Sequence, residues 1–451
     1  MNNNSTSFSD LVVMKFGGTS VGSAERIRNV GDLISGSERK VVVLSAMSGV
    51  TNMLVEISQL FNNSNTQGAL NKIQELQEKY QVVIEELYSQ SEHKEEALTF
   101  VAEKMNFLRS FKEEYFTDFE ERQILAQGEI ISVEMMRLHL AERGIVAIKL
   151  PALEYMVTNK HGEPNLPEIQ SQLIELLSHY PKQSLFITEG YICRNAYLEI
   201  DNLKRGGSDY TAALIGAALD AKEIQIWTDI DGLHNNDPRV VDHTTAVRHL
   251  HFNEAAELAY FGAKILHPAC IHPAKMRNIP VRLLNSMEPE AKGTIISNRI
   301  KEGSLKAVAA KDGITALRIL SSRMLLAQGF MRKVFETFER YQTAVDMITT
   351  SEVAITLTID NTNRLEEILL ELRKIADVSV DEDMTIISVV GDMNWKNVGF
   401  ESRVVEALSE LPVRMISYGG SNYGVSILIR SEDKVRALKL LSKHLFHEEV
   451  S

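Results

Sequence analysis

Cysteine is scarce: only Cys193 and Cys270 occur in 451 residues, and neither lies at metal-ligand spacing from other ligand residues. They read as reduced packing residues rather than a disulfide, which favours a cytoplasmic location. Long apolar runs are also missing, so nothing in the sequence is read as spanning a bilayer. The start, Met1-Asn2-Asn3-Asn4-Ser5-Thr6, lacks the charged and apolar regions of a signal peptide. Positive charge is in deficit. With 48 Lys and Arg against 61 Asp and Glu, the formal net charge is -13. That argues against a general nucleic-acid binder, but not against an anionic substrate, which feels only the local field. The 12 histidines form no His-Glu-x-x-His pattern, and His267, beside Pro268, reads as a loop or capping residue. What remains is ordinary globular composition, 44% hydrophobic and 24% charged, in a chain long enough for two to four domains.

Leu11 to Met14 is a short apolar run and reads as a buried strand. Lys15-Phe16-Gly17-Gly18-Thr19-Ser20 follows, and a helical pattern starts near Ser23, with Ile27, Val30 and Ile34 spaced by three or four. Strand, glycine turn and helix start together make an anion site, because glycines let backbone N–H groups approach a ligand and a helix N-terminus favours negative charge. This is not a Walker loop: the lysine precedes the glycines and no Gly-Lys-Ser/Thr follows. A tight turn with a solvated lysine is the alternative.

Lys40 to Ala46 is a continuous β-branched run suited to a parallel strand. It ends in a second small-polar loop, Ser48 to Asn52, so two ligand loops gather at one end of a sheet. From Leu70 to Leu87, and again from Leu98 to Leu108, apolar residues recur at helical spacing. This pair reads as an inserted helical layer, or as a lid or partner surface. Gln127-Gly128-Glu129 precedes a helix expected over Ile130 to Arg143, and strands are expected at Ile145–Leu150 and Ser184–Thr188. Arg205-Gly206-Gly207-Ser208-Asp209 opens a helix over Tyr210 to Leu219, and its arginine offers a planar fork for a carboxylate or phosphate. The strand Glu223 to Trp227 leads to Thr228-Asp229-Ile230-Asp231-Gly232, either a metal-holding carboxylate pair or plain turn chemistry. Glu254 to Leu266 reads as a helix containing Lys264, which is either solvated or a phosphate contact. After Val281–Leu284 and about residue 300, the glycine loops stop. The rest alternates strands and helices in two rounds: Ala316–Leu320, Met331–Tyr341 and Val353–Ile359, then Thr385–Val390, Val398–Leu408 and Gly424–Ile429. Such βαββαβ units bind ligands or subunits without doing chemistry.

Assembled, the chain resembles an aspartate kinase of the amino-acid kinase family with two C-terminal ACT domains, over residues ~10 to ~450. The resemblance rests on Lys15-Phe16-Gly17-Gly18-Thr19-Ser20-Val21, Gly128-Glu129, Arg205-Gly206-Gly207-Ser208-Asp209-Tyr210-Thr211, Trp227-Thr228-Asp229, Phe261-Gly262-Ala263-Lys264 and Ile348-Thr349-Thr350-Ser351-Glu352. It implies an α/β class: a three-layer kinase fold with a mainly parallel central sheet, over 9–300 with a helical insertion at 70–119. A regulatory region over 301–451 would hold two ferredoxin-like ACT domains, the first at about 316–380 and the second at about 381–451 plus 301–315. With a chain ending at Ser451, the similarity is to a monofunctional enzyme without a dehydrogenase domain.

The activity implied is transfer of the γ-phosphoryl of ATP to the side chain of L-aspartate, giving 4-phospho-L-aspartate, the first step toward lysine, threonine and methionine. By resemblance Lys15 neutralises the phosphoryl and Asp209 orients it. Ser45, Thr51, Glu129, Arg205, Gly206 and Ser208 would line the aspartate site, with Arg205 on the α-carboxylate and Glu129 on the α-ammonium. Gly17, Gly18, Ser20, Thr228, Asp229, His234, Arg239 and Lys264 would meet ATP. Mg²⁺ is implied, held by phosphates and water with no metal ligand from the protein. L-lysine is the implied effector, at Met324, Gly329, Phe330, Asp346, Thr350, Ser351 and Glu352. A homodimer or dimer of dimers through the ACT domains is expected, with no nucleic acid and no membrane. Lys204 departs from the family, which has glycine before that arginine, and His234 replaces a common tyrosine. Another amino-acid or carboxylate kinase of this fold, or an inactive amino-acid sensor, is the alternative.

Overall fold

The computed structural model describes residues 8, 10–113, 115–203, 206–263, 266–300, 303–321 and 329–446. Two compact units emerge: residues up to Leu233 together with Leu266–Asn298, and His234–Ile265 together with the chain from Arg299 on.

The first unit is built on a sheet whose strands run, in spatial order, Ile148–Lys149, Leu185–Glu189, Lys40–Leu44, Val12–Phe16, Glu223–Thr228, Val281–Asn285 and Thr294–Ser297. The first six are mutually parallel and the last pairs antiparallel to its neighbour. Phe16 pairs with Leu44 and Trp227, Leu44 with Glu189, and Thr228 with Asn285, so the strand exits stand side by side. Along Val12–Phe16 successive side chains face opposite ways. Val12, Met14 and Phe16 join the core formed with the helices Ala24–Ile34 to Asp118–Glu142. Val13 faces Gly216 of the helix Gly207–Leu219, where an added Cβ would already lie 2.5 Å from Ile224. Helices therefore cover both faces, giving three layers.

Three expectations need correction here. The helix expected from Ile130 starts at Asp118, where Thr117 and Glu120 form a capping box. Gly128 is not a helix breaker: its missing Cβ lets the helix approach Ala46, whose Cβ an alanine would meet at 2.7 Å. The strand expected over Ile145–Leu150 is only Ile148–Lys149, because Gly144 (φ 72°) and the Ile145 N–H, bonded to the Leu140 carbonyl, close the preceding helix. The helix expected over Glu254–Leu266 runs Phe252–Tyr260 and stops before Gly262 at φ 108°.

The second unit holds one six-stranded antiparallel sheet, in the order Ile348–Thr350, Ala354–Ile359, Leu305–Leu320, Asp377–Gly391, Gly424–Arg430 and Met415–Ser417. Ala316–Leu320 and Thr385–Val390, expected as short strands, are parts of the two long central ones. Lys311-Asp312-Gly313 interrupts the apolar pattern in sequence but only shifts the register in space. The helices Phe330–Arg340 and Leu365–Leu372 pack on one half of the sheet, Phe400–Ala407 and Lys434–Phe446 on the other.

Candidate active site at the carboxyl ends of the parallel strands

Lys15 faces the same side of the sheet as Val13, the side of the helix Gly207–Leu219. That helix opens with Gly206 in the left-handed region (φ 69°), so Ser208 and Asp209 occupy its first turn. Strand alternation and helix cap together bring Lys15 Nζ to 2.6 Å from Asp209 Oδ1, with side chains only 11% and 18% exposed. A carboxylate at a helix N-terminus is doubly favoured, by the backbone dipoles and by the ammonium.

A cavity of about 480 Å³ lies alongside, walled by Gly18, Thr19, Ser45 to Gly49, Thr51, Asn52, Glu129, Tyr191, Gly207 and Ser208. The two strand-exit loops touch: a Cβ on Gly18 would lie 2.7 Å from the Ala46 carbonyl, and the Ser48 N–H donates to the Gly18 carbonyl at 3.1 Å. Ser45 Oγ donates to Ser208 Oγ at 2.9 Å, tying loop to helix cap. Thr51 and Asn52 sit in the first turn of Val50–Asn62, whose N-cap Gly49 (φ 79°) supplies no side-chain cap. Those N–H groups suit an anionic substrate.

Glu129 projects into this cavity from mid-helix and is 5% exposed. Burial pushes its carboxyl up to about 8; the Ala46 and Glu129 backbone N–H groups and Lys15 work against that rise, and Glu189 adds to it. Only an incoming cation would make its ionised form comfortable. Gly17 differs from expectation. Its N–H donates to the Trp227 carbonyl at 3.3 Å, so it is engaged within the sheet, while its bare Cα leaves 3.5 Å between a would-be Cβ and Lys15 Nζ. Ser20, 1% exposed, shares a 2.8 Å hydrogen bond with Ser286 Oγ, which lies 2.9 Å from the Thr228 carbonyl. Thr228 Oγ1 accepts from the Ile230 N–H, and Asp229 is exposed in that turn.

The other expected positions divide. Arg205, Lys264 and Met324 lie outside the described residues. In the second unit, His234 Nδ1 bonds Thr244 Oγ1 at 2.7 Å, and Arg239, 77% exposed, forks onto Asp237. Gly329 (φ 90°) begins Phe330–Arg340, Phe330 is buried in the core, and Thr350, Ser351 and Glu352 are exposed. Asp346, expected in the lysine site, has its side chain buried against Lys311 and Tyr260. Sequence reasoning missed Tyr191, a cavity wall held at φ 70° with its N–H on Thr211 Oγ1 at 2.9 Å. No pattern announces such a strained residue, although it follows Glu189-Gly190 directly. It also missed Ser286, whose partners come from distant segments.

Residues 10–285 match the amino acid kinase family, and residues 387–445 the ACT domain. The lysine-sensitive aspartokinase 3 of Escherichia coli is 33% identical, over 97% of this chain and 100% of that protein. The chain belongs to the aspartokinase family. Among aspartokinases of known structure, E. coli aspartokinase III in complex with aspartate and ADP (R-state) superposes with a TM-score of 0.84 at 32% identity, over 97% of this chain and 100% of that one. The same enzyme with lysine and aspartate (T-state) gives a TM-score of 0.79, with the same identity and coverage.

Proposed function

We propose that the protein is an ATP-dependent aspartate kinase. One oxygen of the L-aspartate side-chain carboxylate attacks the γ-phosphorus of ATP. The bond to the β–γ bridging oxygen breaks, and ADP departs with the electron pair, leaving 4-phospho-L-aspartate. The nucleophile is already ionised, so no strong base is needed; the obstacle is pressing an anion against a polyanion. The observation that carries the reading is the Lys15–Asp209 pair, a fixed ammonium at the strand exits beside a cavity of hydroxyls and one buried carboxyl. Lys15 neutralises charge that moves during transfer, and Asp209 holds it in place. Glu129 receives the α-ammonium, Ser45, Thr51 and Ser208 line the substrate, and Arg205 takes the α-carboxylate. Gly18, with no side chain to obstruct the Ala46 carbonyl, leaves the loop free to follow the phosphates.

Among the described residues no three His, Cys, Asp or Glu side chains cluster to hold a metal. Mg²⁺ would be held by the nucleotide's phosphate oxygens and water, and would neutralise phosphate charge there. The two free, buried cysteines support a cytoplasmic setting, and no described helix is long and apolar enough to cross a membrane. L-lysine is the proposed feedback effector, as it is named for the E. coli relative, acting at the Asp346 region. A homodimer through the ACT halves is proposed, to be read by sedimentation. The function itself is tested by ADP release from MgATP with L-aspartate, L-glutamate, N-acetylglutamate or no acceptor. Aspartate-dependent release is expected; faster release with either other acid overturns the reading.

A further inference from the structure

The long strand Leu305–Leu320 carries Lys311 at the point where its pairing shifts register. Lys311 Nζ lies 2.8 Å from Asp346 Oδ1 and 2.9 Å from Asp360 Oδ2. The same ammonium stands 4.7 Å from the centroid of the Tyr260 ring, and the Tyr260 hydroxyl donates to Asp346 Oδ1 at 2.9 Å. Two carboxylates and an aromatic face are what recognises an alkylammonium. The cluster is also unbalanced. It carries two negative charges against one positive, and Asp346 Oδ2 is buried without a hydrogen-bond partner on a side chain only 1% exposed. Such an oxygen is costly to leave unpaired.

The cluster is anchored to the helix that ends at Tyr260. Two residues on, Gly262 packs so closely that a Cβ would lie 2.2 Å from the carbonyl of Ala310, next to Lys311. Any rearrangement around Lys311 is therefore felt where the chain leaves that helix.

We propose that Lys311 is a tethered competitor of the amine effector: it fills an ammonium site made by Tyr260, Asp346 and Asp360, and an incoming ammonium group displaces it. This rests on the reading of L-lysine as effector at Asp346. A tethered group competes at an effective concentration of order millimolar. Free lysine must exceed that, so the site stays closed until the amino acid accumulates. Displacement then loosens the end of Phe252–Tyr260, giving the effector two conformations to choose between.

The test titrates initial rate against L-lysine for the parent, Lys311→Met and Tyr260→Phe. Lys311→Met should keep its basal rate and be half-inhibited at lysine concentrations at least tenfold lower. Tyr260→Phe keeps the ring but removes a donor from Asp346, and should shift the response in the same direction by about twofold to threefold; it serves where Lys311→Met does not fold. A lysine-sensitive parent with unchanged or weaker inhibition in both variants overturns the inference and leaves the effector reading standing. A lysine-insensitive parent removes the effector reading instead. The ammonium site is then decided by n-propylammonium: saturable thermal stabilisation of Lys311→Met, abolished in Lys311→Met/Asp346→Asn, supports it, and no stabilisation overturns it.

Discussion

Each unit of the molecule contains a shielded lysine–aspartate pair, and the two pairs have different surroundings. Lys15 meets Asp209 at 2.6 Å, Lys311 meets Asp346 at 2.8 Å, and all four side chains are under one-fifth exposed. Beside Lys15 stands Gly17, whose missing side chain leaves the ammonium clear, and Gly18, Glu129 and Ser208 nearby line an open cavity. Around Lys311 the neighbours are a second carboxylate and an aromatic ring, so its charge is already spoken for. On the proposed reading, the same two functional groups make an electrostatic tool in one place and a closed clasp in the other. The difference lies in what is left unfilled beside the lysine.

The largest expected effect follows from replacing the first lysine. Lys15→Met should lower kcat by 100-fold or more, about 3–4 kcal/mol of transition-state stabilisation, with a smaller stability loss than a fully buried pair would show, because Asp209 is 18% exposed and keeps the backbone dipoles of its helix. A variant that keeps near-parental kcat while folded would take Lys15 out of the chemistry. The matching change in the second unit should do the reverse. Lys311→Met orphans a buried carboxylate and should cost about 3 kcal/mol of stability in urea unfolding, while turnover without effector is kept. Equal losses of stability from both substitutions would erase the distinction between tool and clasp. Smaller, and confined to the active site, is the pH response of Glu129. Its carboxyl, pushed up to about 8 chiefly by burial, is protonated below that pH, whereas an ammonium binds its ionised form. Aspartate affinity should therefore fall about tenfold per pH unit below pH 8, or about 1.4 kcal/mol, and level off above it. Glu129→Gln should flatten the profile; a profile already flat in the parent would show that Glu129 does not meet the ammonium.

Much of the first unit was legible because its determinants are local. Runs such as Lys40 to Leu44 mark parallel strands by composition, and the Gly17-Gly18 turn follows its strand directly in sequence. Where the reading slipped, partners far along the chain decided the outcome. Gly128 reads as lying just before a helix, whereas it sits inside one, packed against Ala46. Ala316–Leu320 reads as a complete short strand until Asp377–Gly391 pairs along the whole of Leu305–Leu320. Asp346 has the sequence context of a solvated charge, and only Lys311 and Tyr260, 35 and 86 residues away, make it a buried one. Tyr191 carries its strain in a dihedral angle, which no residue pattern encodes.

The tight packing of Gly206 has a practical consequence for watching the enzyme work. A Cβ on Gly206 would come within 2.4 Å of Cys270 Sγ, so the thiol is walled in by the loop that positions Asp209. Burial also holds that thiol above the usual range, leaving little thiolate at neutral pH. The Gly206 turn is therefore part of what shields Cys270 from a thiol reagent, and its opening should expose the thiol. The alkylation rate of this one cysteine is thus a clock for spontaneous opening of the catalytic loop, and ligands that clamp the loop should slow it.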